Sequence, residues 1–226
     1  MISHEHKCIF IHIPKCAGTS IETALGHFSH HQGLRGGQDH RSLRMLQRPM
    51  LCRDLLRSPD NLLEVARRVS SRLRARSNPK NGLDLTPEQY ATYFKFTIIR
   101  NPYSRVFSAY RNVVRDPIHC RRHGILSDIS FVKYLRRFAG QRLLTPQLYF
   151  IRDFSGAVPL DFIGRFERLG DDFREACRRM GIQATPMLPH ELKGDTNDYR
   201  EHYDSEAIDI VRRVYGEELS LFGYEL

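Results

Sequence analysis

The residues of this chain best suited to chemistry lie near its start, in the run Pro14-Lys15-Cys16-Ala17-Gly18-Thr19-Ser20. The apolar, β-branched stretch Cys8–Ile13 precedes them, and Ile21, Ala24 and Leu25 follow at helical spacing. A loop between a buried strand and a helix presents backbone N–H groups at the helix start, where the helix dipole also favours an anion. Ala17 and Gly18 let the backbone approach a phosphate, Thr19 and Ser20 add hydroxyl donors, and Lys15 adds a point charge. The order is not that of a nucleotide triphosphatase, in which Gly-Lys-Ser/Thr closes a longer glycine-bounded loop; here the lysine stands three residues before the glycine. A side chain placed to grip a β/γ phosphate beside magnesium is therefore missing, which argues against an ATPase or a nucleotide kinase. The bland alternative is a small-residue turn that closes a βα unit.

A second candidate is Arg100 with Ser108. Arg100 ends the strand-like run Phe94–Ile99, and Ser108 stands eight residues on, about two turns into the next helix. Arg100 can hold a phosphate bidentately and Ser108 can donate to the same group. The competing reading pairs Arg100 with a surface carboxylate and packs Ser108 among its neighbours.

The elements that must position these residues alternate strand and helix. Asn101 suits a helix cap and Pro102 the first helical position, with Val106, Phe107, Tyr110 and Val113 turned inward. A third strand spans Asp161–Phe166. The helix after it carries Leu169, Phe173, Ala176, Cys177 and Met180 on one side and stops at Gly181. A last helix starts at Asp204 and is expected to lay Ile208, Val211, Tyr215, Leu219 and Phe222 on the sheet. This grammar predicts an α/β fold, a single P-loop-like domain with a central, mainly parallel sheet flanked by helices. Thr86 and Gln89 form a capping-box pair.

These blocks, together with Phe162-Ile163-Gly164-Arg165-Phe166-Glu167 and the ending Leu221-Phe222-Gly223-Tyr224, resemble the sulfotransferases that use 3′-phosphoadenosine-5′-phosphosulfate (PAPS). The likeness is to the family-2 type, which includes carbohydrate and uronosyl 2-O-sulfotransferases and bacterial relatives. It implies that Pro14, Lys15, Cys16, Ala17, Gly18, Thr19 and Ser20 form the 5′-phosphosulfate loop, with Lys15 near the oxygen bridging phosphorus and sulfur. It implies that Arg100 and Ser108 take the 3′-phosphate, that Lys193 touches the donor from a covering loop, and that the product is 3′,5′-ADP. Members of this type often carry a histidine between the first helix and the second donor strand, which makes His40 the candidate base; His27, His30 and His31 compete with it. His12 is expected to orient its neighbours. The acceptor is an alcohol, a sugar or an anionic polysaccharide.

Composition bounds the rest. At 226 residues with 41% hydrophobic content, one domain with a basic helical insertion at about 41–85 is expected. The stretch 41–80 holds eleven Lys or Arg against three Asp or Glu, and Leu62, Ala66, Val69 and Leu73 repeat in it at helical spacing. A non-catalytic module for acidic polysaccharide or nucleic acid is the alternative function, although this stretch lacks aromatic residues for base stacking. A basic flap that binds the acceptor explains the same charge. Nucleic acid is not an expected partner. Five scattered cysteines without a C-x-x-C pair point to a reducing compartment, the cytoplasm, and no run is long enough to span a membrane. No metal is expected, and the stretch His119–His123 lacks a full ligand set.

Overall fold

The structure, a computed structural model, describes residues 1–27, 37–48, 51–73, 76–189 and 198–226, with the side chains of 72, 122 and 123 outside the description. Its packing falls into two compact units interleaved along the chain. Met1–Ile13, Ala17–Ile99 and Leu148–Glu191 form the first, and Pro14–Cys16, Arg100–Gln147 and Leu192–Leu226 form the second.

The first unit is built on strands β1 (Ile2–Ser3), β2 (Cys8–Ile11), β3 (Phe94–Ile99) and β4 (Phe162–Arg165), hydrogen-bonded in that order. β1 runs antiparallel to β2, whereas β2, β3 and β4 are parallel, with Cys8 opposite Phe94 and Phe96 opposite Phe162. Every residue of β2 is buried, as is β3 from Lys95 onward, which is why both read as near-continuous apolar runs. Parallel strands need long crossovers. Between β2 and β3 lie α1 (Gly18–Ala24), α2 (Leu43–Leu46), α3 (Cys52–Leu55), α4 (Pro59–Leu73) and α5 (Pro87–Thr92). Between β3 and β4 lie α6 (Pro102–Arg115), α7 (Pro117–His123), α8 (Phe131–Phe138) and α9 (Gln147–Ile151), and after β4 come α10 (Leu169–Arg179) and α11 (Ser205–Phe222).

Phe10, Phe96 and Ile98 of the sheet pack with Ile21 and Leu25 and with Phe173, Ala176 and Cys177, so α1 and α10 cover the sheet as their apolar spacing foretells. β2 stops at Ile11, two residues before the expected end, and β4 is one residue shorter at each end, which is ordinary boundary scatter. Gly181 ends α10 with φ of 75°, a left-handed turn that favours glycine.

The second unit is helical. Asn101 caps α6 by accepting from the Tyr103 N–H at 2.9 Å, with Pro102 behind it as anticipated. Val106, Phe107 and Val113 pack with Tyr134, Leu135 and Phe138 of α8 and with Ala207, Ile210, Val211 and Tyr215 of α11. This corrects the expectation that α11 lies on the sheet: its stripe is used inside the helical unit. Tilted, stacked and edge-on aromatic contacts mix there, the edge-on ones including Tyr103 to Tyr203 at 5.2 Å and Phe107 to Phe131 at 5.4 Å between centroids. Among the described residues no helix is long and apolar enough to cross a membrane.

Candidate active site

Within the second unit Lys15 and Arg100 come together. The Arg100 guanidinium donates from Nη1 to the Lys15 carbonyl at 3.2 Å and from Nε to the Ser104 hydroxyl at 2.9 Å. Its backbone is clamped by Gln147, whose Oε1 accepts from the Arg100 N–H and whose Nε2 donates to the Arg100 carbonyl, both at 2.9 Å. Gln147 also donates to buried Glu218 at 2.9 Å, and its Oε1 accepts from the Cys16 thiol at 3.4 Å. Arg105, wholly buried, donates from Nε to the Pro14 carbonyl at 3.0 Å and from Nη2 to the carbonyls of Leu143 and Thr145. Pro14, Lys15 and Cys16 are thereby tied to Arg105, Arg100 and Gln147.

Its backbone is unusual. Lys15 and Ala17 have φ of 70° and 60°, with Cys16 between them in the ordinary negative range. For residues that carry a Cβ this conformation costs roughly 1–2 kcal/mol each. Alternation of this kind turns successive N–H groups toward one side and makes an anion-binding concavity. Ala17 begins α1 without a side-chain cap, so the first-turn N–H groups are not satisfied in that way. Burial, then the nearby charges of Arg100 and Arg115, lower the Lys15 pKa to about 8.

The first unit holds a second cluster. His12, on the residue after β2, places Nδ1 3.0 Å from Glu22 Oε1, and both side chains are buried. Burial alone would raise the Glu22 pKa; the His12 charge and hydrogen bond outweigh it and hold the carboxyl below its usual range. Glu22 also accepts from the Asp39 N–H at 3.1 Å, and Asp39 pairs with Arg41 at 2.6 Å. His40, the next residue, lies with its ring centroid 4.2 Å from that of His12. Its Nδ1–H donates to the His12 carbonyl at 3.4 Å, which leaves Nε2 as the basic nitrogen. Desolvation of the ring, then the neighbouring His12, push the His40 pKa down to about 4, although the residue as a whole is exposed to solvent. Gly18 owes its identity to this cluster: a Cβ there would stand 1.9 Å from His12 Cδ2.

A model described as the sulfotransferase family, family-2 type, matches residues 1–144, more than half of the chain. The chain belongs to the sulfotransferase family. No curated protein and no solved structure matches it.

The matched stretch of this sulfotransferase contains Pro14–Ser20, His40, Arg100 and Ser108. Ser108 is half-buried on α6, one turn beyond Ser104, so the two hydroxyls share a face roughly 6 Å apart along the helix. Ser104 touches Arg100 directly, a contact the spacing did not single out. Thr19 and Ser20 are half-buried in the first turn of α1. Of the competing histidines, His27 is buried and tied through Nε2 to Asn81 at 2.9 Å, and burial lowers its pKa. His30, His31 and Lys193 lie outside the described residues. His119 contacts Asn112 and the Cys120 thiol donates to the Val113 carbonyl at 3.2 Å. Among the described residues no three His, Cys, Asp or Glu side chains gather as metal ligands would.

Sequence reasoning missed Glu22, Arg105 and Gln147. Glu22 had a signal, an acidic residue between the inward Ile21 and Leu25, and Arg105 had a similar one beside Val106. Gln147 had none, since its partner Arg100 is forty-seven residues away.

Proposed function

We propose that this sulfotransferase moves a sulfuryl group from PAPS to the hydroxyl of an acceptor, a sugar or another alcohol, and releases 3′,5′-ADP. The observation that carries the reading is Arg100 bonded to the backbone of Lys15 beside a concavity of N–H groups. Like charges so placed suit a ligand bearing more than one negative charge, and PAPS carries charge at its 5′-phosphosulfate and again at its 3′-phosphate. Pro14–Ser20 would hold the former, and Arg100, Ser104 and Ser108 the latter, with Lys193 proposed as a further donor contact. None of these donors requires magnesium.

In the reaction the acceptor oxygen attacks sulfur in line and the bond from sulfur to the bridging oxygen breaks. Lys15 stabilises charge on the leaving phosphate oxygen, and His40 accepts the acceptor proton at Nε2. With its pKa lowered, His40 is unprotonated at pH 7 and free to accept a proton, at the cost of basicity. The cytoplasm suits a chain whose cysteines are free.

Transfer of labelled sulfate from PAPS to a panel of sugars and alcohols tests the reading. His40→Ala is expected to lower kcat by about 10²–10⁴ while donor affinity persists. Near-normal turnover in that variant would remove His40 from the mechanism, and absence of transfer to any alcohol would favour a binding module.

A further inference from the structure

Helix α4 is mounted with its polar side inward. Asn61, buried, donates from Nδ2 to the carbonyls of Asp54 at 2.6 Å and Phe154 at 3.0 Å and accepts from Arg44 Nη1 at 3.0 Å. Three residues on, buried Glu64 accepts from the hydroxyls of Ser42 and Tyr149 and from Arg67 at 3.0 Å. A buried amide and carboxylate stripped of these partners would cost several kcal/mol, so the rotation of α4 about its axis is fixed.

The apolar stripe must then face out. Leu62, Val69 and Leu73 are 52%, 57% and 84% exposed, and Ala66 stands between them on the same face. Leu63 widens the stripe, and Leu51 and Leu56 extend the exposed apolar surface at α3. Six of the ten large hydrophobic side chains exposed among the described residues lie in this stretch. Single exposed leucines need no explanation, but an apolar row along one helix does.

One border is basic: at 100° per residue Arg67 falls beyond Leu63 on one flank of the stripe and is 59% exposed, whereas Arg68 falls on the inward side near Asn61 and donates to the Gln47 carbonyl; α3 adds exposed Arg53 and Arg57. With eleven basic against three acidic residues, the stretch 41–80 carries most of the formal charge of +9. A second copy would bring two arginine-rich faces together. An acidic polysaccharide would meet the arginines and leave the leucines in water. An anionic lipid surface meets both, with leucines at the acyl boundary and arginines among headgroups.

We propose that α3 and α4 form a docking surface for an anionic bilayer, seating Leu56, Leu62, Val69 and Leu73 in the interface. The proposal is independent of the donor chemistry above.

Sedimentation of the full chain with phosphatidylcholine vesicles, with and without phosphatidylserine, tests it. Binding is expected to the mixed vesicles and to fall as salt rises. The triple variant Leu62→Ser, Val69→Ser, Leu73→Ser is expected to lose about tenfold in affinity per side chain. Arg53→Gln with Arg57→Gln is expected to lose about fivefold per charge. All variants should keep wild-type helicity and wild-type affinity for 3′,5′-ADP. Four results overturn the proposal: no binding to mixed vesicles, equal binding to phosphatidylcholine alone, full binding by the triple variant, or a concentration-dependent dimer abolished by it. Retention on heparin without vesicle binding would assign the charge to a polysaccharide.

Discussion

A Cβ on Gly18 would stand 1.9 Å from His12, so alanine there must displace the imidazole or the first turn of α1. Overpacking of this kind costs about 1–3 kcal/mol, and thermal unfolding of Gly18→Ala is expected to show it. In a His12→Ala background most of that cost should vanish; an equal loss in both backgrounds would mean the imidazole is not the obstacle. The titrating groups set a second expectation. In the proposed mechanism His40, with pKa near 4, must be unprotonated to accept a proton, and Lys15, with pKa near 8, must be protonated to stabilise the leaving oxygen. A plot of kcat/KM against pH should therefore rise through about 4 and fall through about 8. Lys15→Arg, which cannot titrate in that range, should remove the alkaline limb whatever activity it retains. A limb that stays would belong to another group.

At the scale of elements, Gln147 at the start of α9 fixes the Arg100 backbone ahead of α6 by two bonds and reaches Glu218 of α11 by a third. Gln147→Leu would leave buried groups unpaired at a cost of about 1–3 kcal/mol and free Arg100 to wander. Lower unfolding stability together with weaker 3′,5′-ADP binding is expected, and a variant as stable and as tight as wild type would contradict the clamp. Much of the element plan is legible because its signals are local. Asn101 accepts from Tyr103, Thr86 and Gln89 cap each other, Asp204 accepts from Ala207, and β3 occupies the expected run Phe94–Ile99. What escaped is non-local. Leu62, Ala66, Val69 and Leu73 announce a helix but not which way it faces, because Asn61 and Glu64 find partners at Phe154 and Tyr149, far along the chain. The stripe of α11 likewise fits a sheet or other helices equally well. In the candidate site Lys15 and Arg100 were legible from the loop and the strand end, while Glu22 and Gln147 act through partners that spacing does not reveal.

Across the whole molecule, the family assignment gives the class of reaction, sulfuryl transfer, and the donor proposed above rests on two charged loci. On the proposed assignment a nucleotide without the 3′-phosphate would leave Arg100, Ser104 and Ser108 without their ligand, so discrimination between nucleotides reads the account directly. Arg100→Gln should erase that discrimination by weakening 3′,5′-ADP far more than 5′-AMP. The deciding measurement is calorimetric titration of the wild-type chain with 3′,5′-ADP, 5′-AMP and ATP with magnesium. The account requires tight 3′,5′-ADP binding, much weaker 5′-AMP binding and no effect of magnesium. Equal affinity for 3′,5′-ADP and 5′-AMP, or a preference for ATP with magnesium, would contradict it.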